Sequence, residues 1–314
     1  MKNVLAVVGA TASGKTSLSI ALAKALGGEI VSCDSMQVYR GMDIGPAKPT
    51  VAEREGIPHH LIDIIEPSES FSVADYAPLA AKAIEEITAR GRLPILCGGT
   101  GLYLDAVLTA NEYSEAGSDP ALREALAREA EEKGALALWE RLKLEDAASA
   151  EAIHPNNVKR VIRALEIKLL TGVAKSEWDR RSRLAPSPYN ALVLGLTYPD
   201  REVLYDRVDK RVDVMMEQGL VEEVQGLVSS GRLPRTSTAA QAIGYKEMLS
   251  YLDGESTLEE AAETLKMATR RYAKRQITWF GSKDYVTPLE VSGGISDESF
   301  EKIIKKVKKA FQIS

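Results

Sequence analysis

The chain has 314 residues, 45% of them hydrophobic and 27% charged, which suits a globular protein with one large domain or two smaller ones. Its formal net charge of −5 excludes a protein that is basic all over, so a nucleic-acid partner would need locally concentrated Lys and Arg. Two cysteines and three histidines, without C-x-x-C or H-x-x-x-H spacing, argue against a zinc site and for buried thiols in a reducing compartment.

Met1-Lys2-Asn3 has no signal-peptide shape and no apolar run reaches about 18 residues, so no membrane partner and a cytoplasmic location are expected. Val4-Leu5-Ala6-Val7-Val8 reads as a strand buried on both faces. Gly9-Ala10-Thr11-Ala12-Ser13-Gly14-Lys15-Thr16 follows, and then Leu18, Leu22, Ala25 and Leu26 recur at helical spacing until Gly27-Gly28. G-x-x-x-x-G-K-T between a strand and a helix is a phosphate loop. Gly9 and Gly14 let successive N–H groups turn inward, and the helix N-terminus adds its positive end. Lys15 supplies a point charge to the outer phosphate, and the Thr16 hydroxyl can sit on Mg2+. The loop predicts a di- or triphosphate and does not say which.

Glu29-Ile30-Val31-Ser32-Cys33 reads as a second strand with Asp34 at its carboxyl end, the edge where open α/β sheets hold ligands. If the two strands are neighbours, Asp34-Ser35-Met36-Gln37-Val38-Tyr39 is a polar, aromatic-bearing loop a few ångströms from the phosphate loop. Asp34 can serve there as a reacting carboxylate, a helix cap or an outer partner of magnesium. Residues 40–49 form a Gly/Pro-rich loop, and residues 60–65 a third strand. A capping box at Ser72 to Asp75 opens a helix through residue 90. Residues 93–97 are the next strand, and Gly98-Gly99-Thr100-Gly101-Leu102-Tyr103 its exit turn, which sets a Thr hydroxyl at the ligand edge. Neither this strand nor the one at residues 190–197 ends in a Walker-B acid, which disfavours a motor ATPase or GTPase.

From residue 111 to about residue 183 the strand signals stop, and helices at 119–133, 135–144 and 158–170 make an all-helical insertion. Its second half is basic, with Lys159, Arg160, Arg163, Lys168, Lys175, Arg180, Arg181 and Arg183 against three acids. Further helices are expected at 201–218, 220–230 and 238–252. A capping box at Thr257 opens a long helix to about residue 280, on which Lys266, Arg270 and Lys274 fall four apart beside Arg271 and Arg275. The stripe is either a solvated face or a polyanion surface; no acid interrupts residues 265–283, which favours RNA.

Taken together, the ordered motifs GATASGKT at 9–16, DSMQVYRGMDIGPAKP at 34–49, GGTGLY at 98–103, HPNNVKRVIRALE at 154–166 and AKRQITWF at 273–280 resemble the bacterial tRNA dimethylallyltransferases, or tRNA isopentenylpyrophosphate transferases. The resemblance runs from about residue 5 to residue 280; Ala10 stands where the family usually has Pro, and the zinc-finger module of its eukaryotic members is missing. It implies an α/β fold: a P-loop NTPase-like parallel sheet flanked by helices, with an inserted all-helical domain. The catalytic core would be residues 1–110 and 187–290, the insertion 111–186, and the helical tail 291–314.

The resemblance also implies prenyl transfer from dimethylallyl diphosphate to N6 of the adenosine on the 3′ side of a tRNA anticodon. Gly9, Thr11, Ala12, Ser13, Gly14, Lys15, Thr16 and Arg211 would hold the diphosphate, with Mg2+ on Thr16. Asp34 matches the general base and Thr100 a residue orienting the adenine, with Lys15 the third catalytic group. Asp34, Ser35, Met36, Gln37 and Thr100, together with Arg123, match positions contacting tRNA. So do Lys159-Arg160-Val161-Ile162-Arg163 and Gln241-Ala242-Ile243-Gly244-Tyr245-Lys246; Lys274 and Arg275 of the stripe are assigned to tRNA as well. A monomer is expected. The alternatives are a small-molecule P-loop kinase, an adenylate isopentenyltransferase acting on AMP, and an RNA-binding module with a relict nucleotide loop.

Overall fold

The strands are β1 (Lys2–Gly9), β2 (Gly28–Ser32), β3 (His59–His60), β4 (Leu93–Gly98), β5 (Tyr189–Thr197) and β6 (Val286–Glu290), all parallel, in the order β3-β2-β4-β1-β5-β6. The structure, a computed structural model, describes residues 1–109, 117–184, 186–291 and 294–313, and for residues 183 and 184 the backbone alone. The start of the helical segment expected at residue 111 and the Arg183 side chain therefore lie outside the described residues. Two compact units are present: Met1–Val107 with Tyr189–Ser314, and Leu108–Pro188. Among the described residues no helix is long and apolar enough to cross a membrane.

In the first unit, parallel strands buried on both faces explain the apolar runs of β1 and β4; β2 is buried as well, with its Glu29 carboxylate paired to Arg90 and His60. Helices α1 (Lys15–Leu26), α2 (Val73–Ala89) and α3 (Gly101–Leu108) make the early connections. The Ser72 capping box is present at the start of α2. The second unit contains α4 (Pro120–Lys133), α5 (Ala135–Glu145), α6 (Ala147–Ala152), α7 (Val158–Thr171) and α8 (Lys175–Leu184) around a core of Leu126, Leu138, Leu142, Val161 and Leu165. The first unit continues with α9 (Arg201–Glu217), α10 (Leu220–Ser229), α11 (Tyr245–Leu252), α12 (Leu258–Gly281) and α13 (Asp297–Phe311). Ile303, Val307 and Phe311 of α13 join Leu18, Leu22 and Ile95 in one core cluster, so the tail helix covers the α1 side of the sheet.

Three sequence expectations are corrected, and the strand adjacency that the sequence left open is resolved. The third strand is only two residues long, because Leu61 and Asp63 take left-handed φ of 61° and 59°. Residues 63–65 turn back to hydrogen-bond the backbone at Gln37, Val38 and Arg40. The exit turn after β4 ends sooner, with α3 already under way at Gly101. Residues 238–252 are a short 3-10 turn (Ala239–Gln241) followed by α11, not one helix. Finally, β2 is not the neighbour of β1: β4 lies between them. The strand β6 was not foreseen; its Pro288 sits on an edge strand, where a missing N–H is tolerated.

Candidate active site

The loop from β1 to α1 is held from outside by side chains far along the chain. Tyr198 donates to the Ser13 carbonyl at 3.2 Å, Arg207 Nε to the Ala12 carbonyl at 2.9 Å, and Thr11 N to Gln276 Oε1 at 2.8 Å. Ala10 packs under the loop against Leu204, Val208 and Ala273. Gly14 at φ 90° begins α1, and Ala12 at φ 60° pays a steric penalty that Gly would not.

Burial holds the Lys15 ammonium below its ordinary pKa; Cys97 and Asp34 oppose that shift, and Arg211 adds to it. Burial also lowers the Arg211 pKa, with Asp34 and Glu53 opposing. The Ser13 hydroxyl and Arg211 Nε are buried and have no hydrogen-bond partner among the described residues. Buried orphaned donors beside a cationic lysine make a site for an anion.

Asp34 follows β2. Its Oδ1 accepts from Met36 N at 2.9 Å and more weakly from Gln37 N at 3.4 Å, while Oδ2 has no hydrogen bond among the described residues. One oxygen therefore shapes the loop and the other has no partner among the described residues. Thr100 Oγ1 accepts from Ser35 N at 3.0 Å, and Thr100 N donates to the Cys33 carbonyl at 3.1 Å. A Cβ on Gly98 would lie 2.0 Å from that same Cys33 oxygen, so the first glycine of the turn is required for β4 to pass beside β2.

The phosphate loop, Asp34, Arg211 and Tyr272 line one cavity of about 980 Å³. Arg207 and Lys210 add cationic charge to its wall, where the Lys48 ammonium is held between Asp43 and Asp63, and Ile44, Val214 and Met215 add apolar surface. A charged end that binds an anion, an apolar wall and a carboxylate can serve a substrate that carries a hydrocarbon group on a phosphate. Among the described residues no cluster of three or more His, Cys, Asp or Glu could hold a metal ion.

The structure thus brings Lys15, Thr16, Ser13, Asp34 and Arg211 together, as the sequence reading expected, and sets Thr100 beside the Asp34 loop. Other expected residues lie differently. Val161 and Ile162 are buried in the core of the helical unit, so their side chains are not available to RNA; Lys159 and Arg160 remain exposed. Arg123 and Arg163 both reach the buried Glu166 carboxylate, at 2.8 and 2.6 Å, which orients them and takes up part of their charge. Ala242 and Tyr245 are likewise buried, with the Tyr245 hydroxyl donating to Glu223, whereas Gln241 and Lys246 are exposed.

On α12 the cationic stripe divides. Arg270 pairs with Asp209 at 2.6 Å and Lys266 with Asp213 at 2.8 Å, both acids on α9, so these two bases are already neutralised. Lys274 and Arg275 stay exposed, the latter 5.5 Å from the Tyr272 ring. The polyanion reading of the stripe fails for its first half because acids from another helix face it.

Gln276 and Tyr272, which lie among the bases of the α12 stripe, were given no site role from the sequence, and Lys48 and Glu223 were missed. Gln276 and Tyr272 share one face of α12 at i, i+4 spacing, a signal that was readable. Glu223 accepts from the backbone N–H groups of Asp43 and Ile44, each at 2.8 Å, and nothing local to α10 announces that.

A family model described as "IPP transferase" matches residues 37–283. A curated tRNA dimethylallyltransferase from Halalkalibacterium halodurans is 52% identical over 306 residues, covering 98% of this chain and 95% of that one. The crystal structure of the full-length tRNA isopentenylpyrophosphate transferase from Bacillus halodurans is 49% identical, with a TM-score of 0.75 over 99% of this chain and 97% of that one. A eukaryotic dimethylallyltransferase solved acting on tRNA is 30% identical, with a TM-score of 0.84 over all of this chain and 81% of that one.

Proposed function

The chain belongs to the IPP transferase family, and on that premise we propose that it is a tRNA dimethylallyltransferase. It transfers a dimethylallyl group to N6 of the adenosine on the 3′ side of a tRNA anticodon, with dimethylallyl diphosphate as donor. The observation that carries this reading is that one cavity holds both an anion cradle, Lys15 with Arg211, and a carboxylate with a free oxygen, Asp34.

The exocyclic nitrogen is a weak nucleophile because its lone pair is delocalised into the ring. In the step proposed, a bond forms from N6 to C1 of the donor as the C1–O bond breaks. The bonding pair leaves with the diphosphate, and Asp34 Oδ2 takes the N6 proton. Lys15, Arg211 and the inward N–H groups of the loop neutralise charge as it develops on the leaving oxygen. Thr100, tied to Ser35, keeps the Asp34 loop aligned with the acceptor. The base must be unstacked to reach the cavity, which an anticodon loop permits more cheaply than a duplex.

Thr16 offers one hydroxyl and no carboxylate cluster accompanies it among the described residues, a donor set that fits Mg2+ arriving with a diphosphate rather than held by protein alone. When bound there it would neutralise diphosphate charge. Lys159, Arg160, Gln241, Lys246, Lys274 and Arg275 are the exposed residues assigned to tRNA. The reading places the protein in the cytoplasm as a monomer, with the tRNA it modifies.

The test offers radiolabelled dimethylallyl diphosphate and Mg2+ with unmodified total tRNA in one tube and AMP in another. Label in tRNA alone is the expected result. Label in AMP moves the protein to the free-nucleotide enzymes, and no label in either, with ATP turnover instead, makes it a kinase.

A further inference from the structure

Gln276 of α12 is 4% exposed and uses both ends of its amide. Its Oε1 accepts from Thr11 N at 2.8 Å, and its Nε2 donates to the Gly99 carbonyl at 3.0 Å. The partners fix the amide's orientation, since one is a donor and the other an acceptor. They belong to different turns: Thr11 to the phosphate loop after β1, Gly99 to the turn after β4 that carries Thr100.

The fit is tight. A Cβ on Gly99 would lie 2.1 Å from Gln276 Nε2, so the amide sits directly against backbone. Close to one helical turn further on, the Trp279 indole lies over Gly101, where a Cβ would be 2.2 Å from the ring. One helix thus touches the phosphate loop and both sides of Thr100. A carboxylate of the same length could accept from Thr11 but has no proton for Gly99 unless protonated; a thioether is at best a weak acceptor for Thr11 and has no proton for Gly99.

We propose that Gln276, which lines the cavity with both ends of its amide already bonded to backbone, is a positioning residue that couples occupancy of the phosphate loop to the placement of Thr100. The inference rests on the proposed transferase reading. A diphosphate that draws the Thr11–Ser13 segment inward moves the amide, and the amide carries Gly99 and Thr100 with it. The coupling is reciprocal, so an acceptor seated at Thr100 also favours the diphosphate.

The test has two readouts, on Gln276→Met and Gln276→Glu. In a Trp139→Phe/Trp178→Phe background, Trp279 alone reports on the turn after β4 during titration with inorganic pyrophosphate and Mg2+. Calorimetry measures pyrophosphate binding directly, and thermal melting checks that each variant folds. Pyrophosphate should change Trp279 emission in the background protein. In Gln276→Met it should still bind, with no emission change.

In transfer assays both variants should lose about 100-fold in kcat, the scale of a misplacement near 1 Å, with the tRNA KM within about threefold. The proposal is overturned if Trp279 does not respond to bound pyrophosphate in the background protein, or responds equally in Gln276→Met. It is also overturned if folded Gln276→Glu keeps wild-type kcat, or if only the tRNA KM rises, which would make Gln276 an RNA contact. A protein whose Trp279 responds through Gln276 but which transfers no prenyl group would sink the transferase reading and leave the bridge standing.

Discussion

The Thr100 hydroxyl accepts a hydrogen bond from the backbone N–H of Ser35 at 3.0 Å, across 65 positions of sequence. That bond ties the residue after Asp34 to the turn after β4. The carboxylate's orientation is therefore set by a strand that lies between its own strand and the phosphate loop.

Asp34→Asn separates basicity from loop geometry, because the amide oxygen can still accept from Met36 N. We expect kcat to fall by about 100- to 10,000-fold, the usual range when a general base is removed. The tRNA dissociation constant should stay within about threefold of wild type. Single-turnover transfer and filter binding read the two quantities separately. Wild-type kcat in this variant would remove Asp34 from the chemistry.

The two halves of the α12 stripe should behave differently toward salt. Lys266 and Arg270 face Asp213 and Asp209, so Lys266→Ala/Arg270→Ala should leave the slope of log Kd against log salt unchanged. Lys274→Ala/Arg275→Ala should reduce the slope by roughly 0.7 to 0.9 for each RNA phosphate that the protein no longer neutralises. A wild-type slope in both double variants would argue that neither pair meets RNA phosphates.

Both cysteines are buried and free, and burial pushes the Cys33 thiol up to about 12 from an ordinary 9.0. Neither thiol should react with a disulfide reagent at about pH 8 in the native state, and both should react in denaturant. The native thiol keeps a proton that the unfolded chain releases. Its contribution to stability is therefore complete below pH 9 and is lost as pH rises toward 12. Cys33→Ala should flatten the alkaline fall in the urea midpoint; an unchanged slope would contradict the assignment.

Two glycines give opposite expectations. A Cβ at Gly98 meets the Cys33 backbone at 2.0 Å, so Gly98→Ala should cost at least about 1–3 kcal/mol as the β2–β4 pairing is forced apart. Gly226 lies on the exposed face of α10 with nothing within 4 Å of an added Cβ. Gly226→Ala should stabilise by about 0.5–1 kcal/mol. Urea unfolding compares them, and equal effects would refute the packing argument.

The phosphate loop, its flanking strand and helix, and the two capping boxes were readable in the residues because each depends on contacts a few positions apart. The short β3 was misread because its apolar pattern continues through residues 61–65, while Leu61 and Asp63 turn left-handed to meet the Gln37–Arg40 loop and Lys48. The α12 stripe was overread for a similar reason. Its bases are local, but the acids that neutralise half of them stand on α9, some 60 residues earlier.

By itself, the sequence determined that this protein has a G-x-x-x-x-G-K-T loop between a strand and a helix, a carboxylate at a strand end and a helical segment rich in base, together with the family these motifs signify. Those are properties of short segments, encoded by spacing. The tertiary structure alone decided that β4 stands between β1 and β2, that Gly98 and Gly99 must be bare, and that one buried amide, Gln276, joins the loop to the turn carrying Thr100. The physical reason is that strand order and close backbone approach arise from packing between distant segments. No local pattern records which distant partner a segment will meet.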